Sequence, residues 1–416
     1  MSFAIARQAF SSLDRGVKLT ILVAALGYFV DVFDLLMFSI VRVQSLKSLG
    51  VPDENLLPVG ITLINTQMAG LLLGGIVWGV WGDKLGRRSV LFGSIILYSL
   101  ANLANGFVQS VDHYAILRFL AGVGLAGELG AGVTLASELL PRAWRGLGTT
   151  FIATIGVAGA VVAALVAKYT DWRTAYIIGG MMGLALLVLR LGVCESGMFS
   201  ALASSQKDVK RGDLTLFLRR PVLLGRLIRV ALVGAPTWAL MGIIITFTPE
   251  LAKGFGMSVA PEAGMAVLFA YVGIVIGDAL NGLLSQKLRS RRKSILVFLT
   301  LTCVFLLLYR YVPHDSLELY YAFCLLLGLG GGIWAMFIQL GAEQFGTNIR
   351  ATAASCTPNF TRALTIPLTM SFHALAPMAG ILNAAMIVVI GAIILSMLCV
   401  ISLRETFEDD LEYVER

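Results

Sequence analysis

The stretch Gly79-Val-Trp-Gly-Asp83-Lys84-Leu-Gly86-Arg87-Arg88 lies between two apolar runs, 59–81 and 89–110. Each run is long enough to cross a bilayer as a helix, which takes about 20 residues. The stretch between them is too short for a domain and too charged for lipid, so it reads as a loop at a membrane surface. Gly79 lets a neighbouring helix come close, Asp83 suits a helix N-terminus, and Lys84, Arg87 and Arg88 mark the side on which basic loops are retained. Two spans joined by such a loop predict an all-α integral membrane protein.

The same alternation of apolar run and polar break recurs along the 416 residues. Twelve runs qualify as spans 1 to 12: 19–42, 59–81, 89–110, 114–139, 147–168, 173–193, 227–250, 262–286, 294–312, 318–343, 351–376 and 379–402. Composition agrees, with 57% hydrophobic residues, 14% charged and a mean hydropathy of +0.84, more apolar surface than a water-soluble chain hides. The first run exceeds a signal-peptide core and no small-residue cleavage pattern follows it, so it is expected to be retained.

An even number of spans puts both termini on one side. Connections on one side carry eighteen Lys and Arg, from Lys84 to Arg350, and those on the other carry six: Arg42, Lys47, Lys168, Arg173, Lys253 and Arg310. That excess places the basic loops and both termini in the cytoplasm. It also accounts for the net charge of +7 without a nucleic-acid partner. The short outer connections point to a bacterial inner membrane, with the chain a monomer in the lipid bilayer.

The longest polar connection falls at mid-chain. It divides an N-terminal six-helix bundle, 1–193, a cytoplasmic linker, 194–225, a C-terminal six-helix bundle, 226–403, and an acidic cytoplasmic tail, 404–416, expected to be solvated. The halves repeat. Glu138 and Arg145 sit seven apart at the end of span 4, and Glu343 and Arg350 sit seven apart at the end of span 10, at an offset of 205 residues. Gly122, Gly124 and Gly127 are likewise answered by the run Gly328 to Gly332. Two parallel halves with a site between them near the midplane are a transporter layout.

Placed after span 2, the stretch 79–88 resembles the signature loop of the major facilitator superfamily, G-x-x-x-D-[RK]-x-G-R-[RK], and the resemblance covers nearly the whole chain. It implies a major facilitator fold of twelve transmembrane helices in two pseudo-symmetric six-helix bundles. It also implies a cytoplasmic gate of Gly79, Asp83, Lys84, Arg87, Arg88, Glu138 and Arg145, answered in the second half by Glu343 and Arg350. A degenerate copy of the loop, Gly282 to Lys293, lacks the acidic member, so the first half is expected to hold the stronger latch. Arg118 with the span 4 glycines resembles the family's second motif, in which such an arginine interacts with the proton-carrying part of the N-terminal half. The Gly127-Glu128 continuation and span 1 are similar to the branch of metabolite:proton symporters, sialate and lactate carriers and animal organic-ion transporters. Read literally, the same glycines match a dinucleotide fingerprint, but no strand precedes them.

Charges inside a bilayer each cost several kcal/mol unless paired or hydrated, so they mark function. Asp31 and Asp34 of span 1 lie one helical turn apart and so are expected on one face, roughly 18 to 22 Å from the cytoplasmic end at about 1.5 Å per residue. Glu128 lies at similar depth. Burial favours the neutral form of such a carboxyl and a nearby Arg118 the charged form, a tension that suits a proton carrier. The alternative is a permanent structural ion pair.

Span 11 carries Pro358-Asn359-Phe-Thr-Arg362-Ala-Leu-Thr-Ile-Pro367. Two prolines predict a kinked or broken helix. Arg362, about 17 Å from the cytoplasmic end, cannot shed its charge, so it needs a carboxylate: an organic anion, or a protein group such as Asp278. An arginine of span 11 has the first role in the animal organic-anion carriers, and the resemblance implies it here. Asn359, Trp238, Trp334, Tyr271, Gln67 and Gln339, together with Asn65, are candidates for the lining of a partly apolar pocket.

No cofactor or metal is expected: Cys194, Cys303, Cys324, Cys356 and Cys399 form no CxxC pair, and His113, His314 and His373 cluster with nothing. HExxH, G-x-S-x-G and P-loop patterns are missing, which speaks against an intramembrane enzyme or an ATP-driven pump. The reading is a secondary active transporter carrying a small organic anion with protons by alternating access. A proton-driven exporter of drugs or organic cations is the rival reading, and a neutral sugar carrier a weaker one.

Overall fold

The computed structural model describes residues 15–85, 87–127, 145–194, 220–314, 316–346 and 349–407, and among these every regular element is a helix. Each expected span falls on one helix or on a broken run of helices, with residues 128–139 of span 4 outside the described residues. Span 1 is Arg15–Ser48, span 2 Leu56–Leu85, span 3 Arg87–Asn105, span 4 Val111–Leu125, span 5 Arg145–Tyr169 and span 6 Trp172–Cys194. Span 8 is Ala263–Leu288, span 9 Arg291–Tyr311 and span 12 Ile381–Ser402. Among the described residues, seven helices are each long and apolar enough to cross a membrane, and the two parts of span 7, bent by 45°, make an eighth.

Three spans of the second half are broken, spans 7 and 11 where a proline withdraws a backbone N–H and span 10 in a run of glycines. Span 7 turns at Gly234 between Pro221–Val233 and Ala235–Ala239, with Pro236 lacking the N–H that would continue the ladder. It then widens into a π-helical turn, Leu240–Ile245, in which the Thr246 hydroxyl donates to the Met241 carbonyl at 2.7 Å. Span 10 is cut between Leu317–Gly330 and Trp334–Glu343, at the end of its glycine run. Span 11 breaks at Leu364, three residues before Pro367, into Arg350–Ala363 and Thr365–Ala379, while Pro358 is accommodated without a break.

Glycines weld the same helix pair in each half. A Cβ on Gly122 of span 4 would stand 2.2 Å from the Gln67 carbonyl oxygen of span 2, and one on Gly70 of span 2 would stand 2.2 Å from the Phe119 carbonyl oxygen. In the second half Gly328 of span 10 meets the Ala270 carbonyl of span 8 in the same way, at 2.0 Å, and Gly273 meets that of Leu325 at 2.1 Å. Small residues let the backbones touch where no hydrophobic driving force separates helix from lipid. The other neighbours repeat too: span 1 packs on 5, 3 on 6 and 3 on 4, as 7 packs on 11, 9 on 12 and 9 on 10. The halves meet along spans 2 and 11 and along spans 5 and 8.

Two expectations change. Span 1 runs six residues past its expected end, so Arg42 is a buried helical residue rather than part of an outer loop. The tail, expected to be solvated from Arg404, starts packed: the Arg404 carbonyl accepts from Gln344 and the Thr406 hydroxyl donates to Glu343.

Candidate functional site

Span 1 presents its two aspartates to different surroundings. Asp31 is fully buried and its Oδ2 lies 3.3 Å from Nη2 of Arg362, across the seam between the halves. Asp34, 1% exposed, turns into its own bundle, where it faces Arg118 and Asn102. Gly179 of span 6 makes room for it: a Cβ there would stand 2.4 Å from the Asp34 Oδ1. Arg118 donates to the Asn102 Oδ1 at 2.6 Å, reaches the Gln67 Oε1 at 3.5 Å and lies 4.9 Å over the Tyr176 ring. Tyr176 in turn shares a 2.7 Å hydrogen bond with Tyr114. The N-terminal half therefore encloses a fully buried polar cluster around Asp34 and Arg118.

Arg362 is the centre of a second cluster. It sits two residues before the break of span 11, a position that lets its side chain leave the helix toward span 1. Its guanidinium carbon lies 5.7 Å from the Trp238 ring, and Trp238 meets Trp334 edge-on at 6.0 Å. Trp238 comes from the bent part of span 7 and Trp334 opens the second half-helix of span 10, so all three broken spans deliver a side chain here. Tyr28, one turn before Asp31, shares a hydrogen bond with the Trp334 side chain and lies in the field of both Arg362 and Asp31, and Tyr271 of span 8 lies beside it.

Arg362 has hydrogen-bond donors to spare. Its Nε and Nη1, the Trp238 Nε1 and the Thr365 Oγ1 are buried with no hydrogen-bond partner among the described residues. Unpaired buried donors are costly, by about 1–3 kcal/mol each. A guanidinium fork of this kind is the chemical complement of a carboxylate, and the indole rings beside it complement an apolar or aromatic group.

Other sequence candidates fall elsewhere. Gln67 belongs to the Arg118 cluster, and its Nε2 has no partner among the described residues. Asn359 bridges the halves by donating to the Ala126 carbonyl at 3.2 Å, and Asn65 accepts from Thr369 at 2.7 Å. Gln339 is exposed and bonds to Glu343, which also pairs with Arg291 at 3.5 Å. Asp278, offered as a counter-ion for Arg362, instead accepts the backbone N–H of Ala335 at 3.1 Å; Asp31 takes that place. Glu128 and Glu138 lie outside the described residues, as do the side chains of Gly79, Asp83, Lys84, Arg87, Arg88, Arg145 and Arg350.

Tyr28, Asn102, Gly179 and the pair Arg42–Glu250 were not singled out from the sequence. Only Tyr28 left a usable signal there, a polar residue one turn from Asp31 on the same face.

A family model described as Major Facilitator Superfamily matches residues 24–368. The chain belongs to the major facilitator superfamily. It is a multi-pass membrane transporter, not an enzyme. It is similar to the niacin transporter of Acinetobacter baylyi, 27% identical over 80% of this chain and 81% of that one. It is also similar to the cis,cis-muconate transport protein of the same organism, 28% identical over 86% and 87%. A crystal structure of a D-xylose-proton symporter superposes with a TM-score of 0.69 over 94% of this chain and 99% of that chain, at 15% identity, which speaks to the fold alone.

Proposed function

We propose that this major facilitator protein carries small planar organic carboxylates into the cell together with protons. The observation that carries the reading is the Arg362 guanidinium, buried at the seam, held by one 3.3 Å contact to Asp31, with two further nitrogens unengaged beside Trp238. The relatives named for niacin and muconate support the substrate class, since both are unsaturated acids.

Coupling follows from charge. One guanidinium balances one carboxylate in a low-dielectric seam. When a substrate carboxylate takes Arg362 bidentately, Asp31 is left buried without its cation, and taking up a proton relieves that cost. Asp34, with Arg118, and Glu128 form the relay that supplies and removes the proton. The bundles, 1–193 and 226–403, rock about this site, joined by the linker 194–225, with Gly79, Asp83, Lys84, Arg87, Arg88, Glu138 and Arg145 latching the cytoplasmic side and Glu343 and Arg350 acting in the second half. Both termini and the tail 404–416 face the cytoplasm of a bacterial inner membrane, and the working unit is a monomer. An exporter of organic cations would not place an arginine among its aromatic walls.

The test is uptake into liposomes holding the purified protein, with the interior alkaline. Nicotinate, 4-hydroxybenzoate and cis,cis-muconate are expected to accumulate, to stop accumulating when a protonophore is added, and to be lost with Arg362→Ala. Xylose or tetraphenylphosphonium moving in their place would refute the reading.

A further inference from the structure

Span 10 is cut at Gly331, Gly332 and Ile333, and a cut helix in a bilayer leaves peptide groups that must find partners inside the protein. Three side chains from neighbouring spans supply them. Thr237 of span 7 donates to the Gly331 carbonyl at 3.2 Å, and Asn281 of span 8 donates to the Gly332 carbonyl at 3.0 Å. Asp278 of span 8 accepts from the Ala335 N–H at 3.1 Å, and its carboxylate also takes the Trp334 backbone N–H.

The backbone approach explains the delivery. A Cβ on Gly332 would stand 2.5 Å from the Asp278 nitrogen and 2.5 Å from the Gly277 Cα. The cut is thus pressed onto span 8, and the Asp278 carboxylate arrives at the first free N–H groups of the half-helix Trp334–Glu343. A carboxylate there is favoured twice, as hydrogen-bond acceptor and as negative charge at the positive end of the helix dipole.

That half-helix opens with Trp334, whose ring stands edge-on to Trp238 and whose side chain meets the Tyr28 hydroxyl. Tyr28 belongs to the other half of the protein. The orientation of one wall of the Arg362 site therefore depends on a bond made to backbone, outside the site, by an aspartate of span 8.

We propose that Asp278 is a positioning residue for the substrate. Its carboxylate caps the second half-helix of span 10 and so holds Trp334 against Trp238 and Tyr28, and the affinity for the organic acid depends on that cap. The affinity part rests on the carboxylate reading of the site; the cap itself does not.

Two measurements on Asp278→Ala and Asp278→Asn, made on the full chain in liposomes, decide it. The first is hydrogen exchange at the amides of the peptide 333–340, read by mass spectrometry without any substrate. The second is the KM and maximal rate of nicotinate uptake. Asp278→Ala is expected to speed exchange at 334 and 335 and to raise KM about fivefold, the equivalent of one lost cap, with the maximal rate nearly unchanged. Asp278→Asn keeps an oxygen acceptor and is expected to stay close to wild type in both. Exchange and KM must move together across the two variants. A KM that rises in Asp278→Asn while its amides stay protected would mean that the carboxylate acts on substrate or proton directly, and overturns the proposal. Unchanged exchange in Asp278→Ala overturns the cap. Wild-type protein that takes up no carboxylate overturns the site reading and the affinity half of the proposal with it.

Discussion

Arg42 and Glu250 join the two halves on the face opposite the basic loops: Nη2 of the fully buried arginine lies 2.7 Å from Oε2 of the glutamate. The same guanidinium donates to the carbonyls of Leu56 and Thr246 and lies 4.6 Å over the Phe247 ring. Span 1, the start of span 2 and the end of span 7 are thereby tied at one point.

Breaking such a pair from one side leaves a charge without its partner, which costs about 3–5 kcal/mol in a fully buried site and less where one partner meets solvent, as Glu250 does. Glu250→Gln is expected to shift the protein toward the form open on that face. Alkylation of a single cysteine placed at Thr369 should then speed up severalfold. An unchanged rate would show that the pair does not hold this side shut.

Asp31 and Asp34 should part company under mutation. Asp31→Asn removes the charge that competes for Arg362, so nicotinate binding is expected to be retained and to lose its dependence on protons, with acid-driven accumulation gone. Asp34→Asn is expected to stop accumulation while leaving some exchange of internal for external substrate. Accumulation that survives both changes would remove span 1 from the proton route.

Gly179→Ala tests the placement of Asp34 without touching it. The new Cβ would stand 2.4 Å from the Asp34 Oδ1 and 3.0 Å from the Phe33 ring, so the carboxyl must move. Overpacking of this kind costs roughly 1–3 kcal/mol. A fall in acid-driven uptake well beyond the loss of folded protein, measured on protein-normalised liposomes, is the expected result.

Glu405 gives a pH signature outside the membrane. Burial pushes its carboxyl up, but the Ser290 hydroxyl and the amide groups of Arg291, Thr406 and Arg292 outweigh that and hold it below the usual range. A depressed carboxyl stabilises the fold above its unfolded value, and that contribution is lost as pH falls through the folded one. The melting temperature of wild type should therefore exceed that of Glu405→Ala at pH 7, with the gap closing below about pH 4. A gap that persists in acid would mean the tail is held by packing alone.

The same residue revises the reading of the second half. The loop Gly282 to Lys293 lacks the acidic member of its first-half counterpart, and Glu405 supplies a carboxylate from the far end of the chain, on the first N–H groups of span 9. Nothing in the spacing of residues 282–293 reports a partner more than a hundred positions away. The break in span 11 was legible because Pro367 carries its cause locally. The π-helical turn of span 7 was not, since packing around Leu240–Ile245 and the Thr246 hydroxyl decides it. Arg362 was legible as a charge at mid-membrane, whereas its partner was not.

Length, hydropathy and the distribution of basic residues are sums over neighbouring positions, so the chain by itself determined the spans, the break of span 11 at its proline, and its membership of a membrane-transporter family. Which carboxylate meets which cation depends on how helices rotate and pack. Three residues along an α-helix leave Asp31 and Asp34 about 60° apart. That difference aims Asp31 across the seam at Arg362, 331 positions away, and Asp34 into its own bundle. The tertiary structure alone decided this, because the angle of span 1 against spans 6 and 11 is set by contacts such as Gly179 that no local pattern encodes.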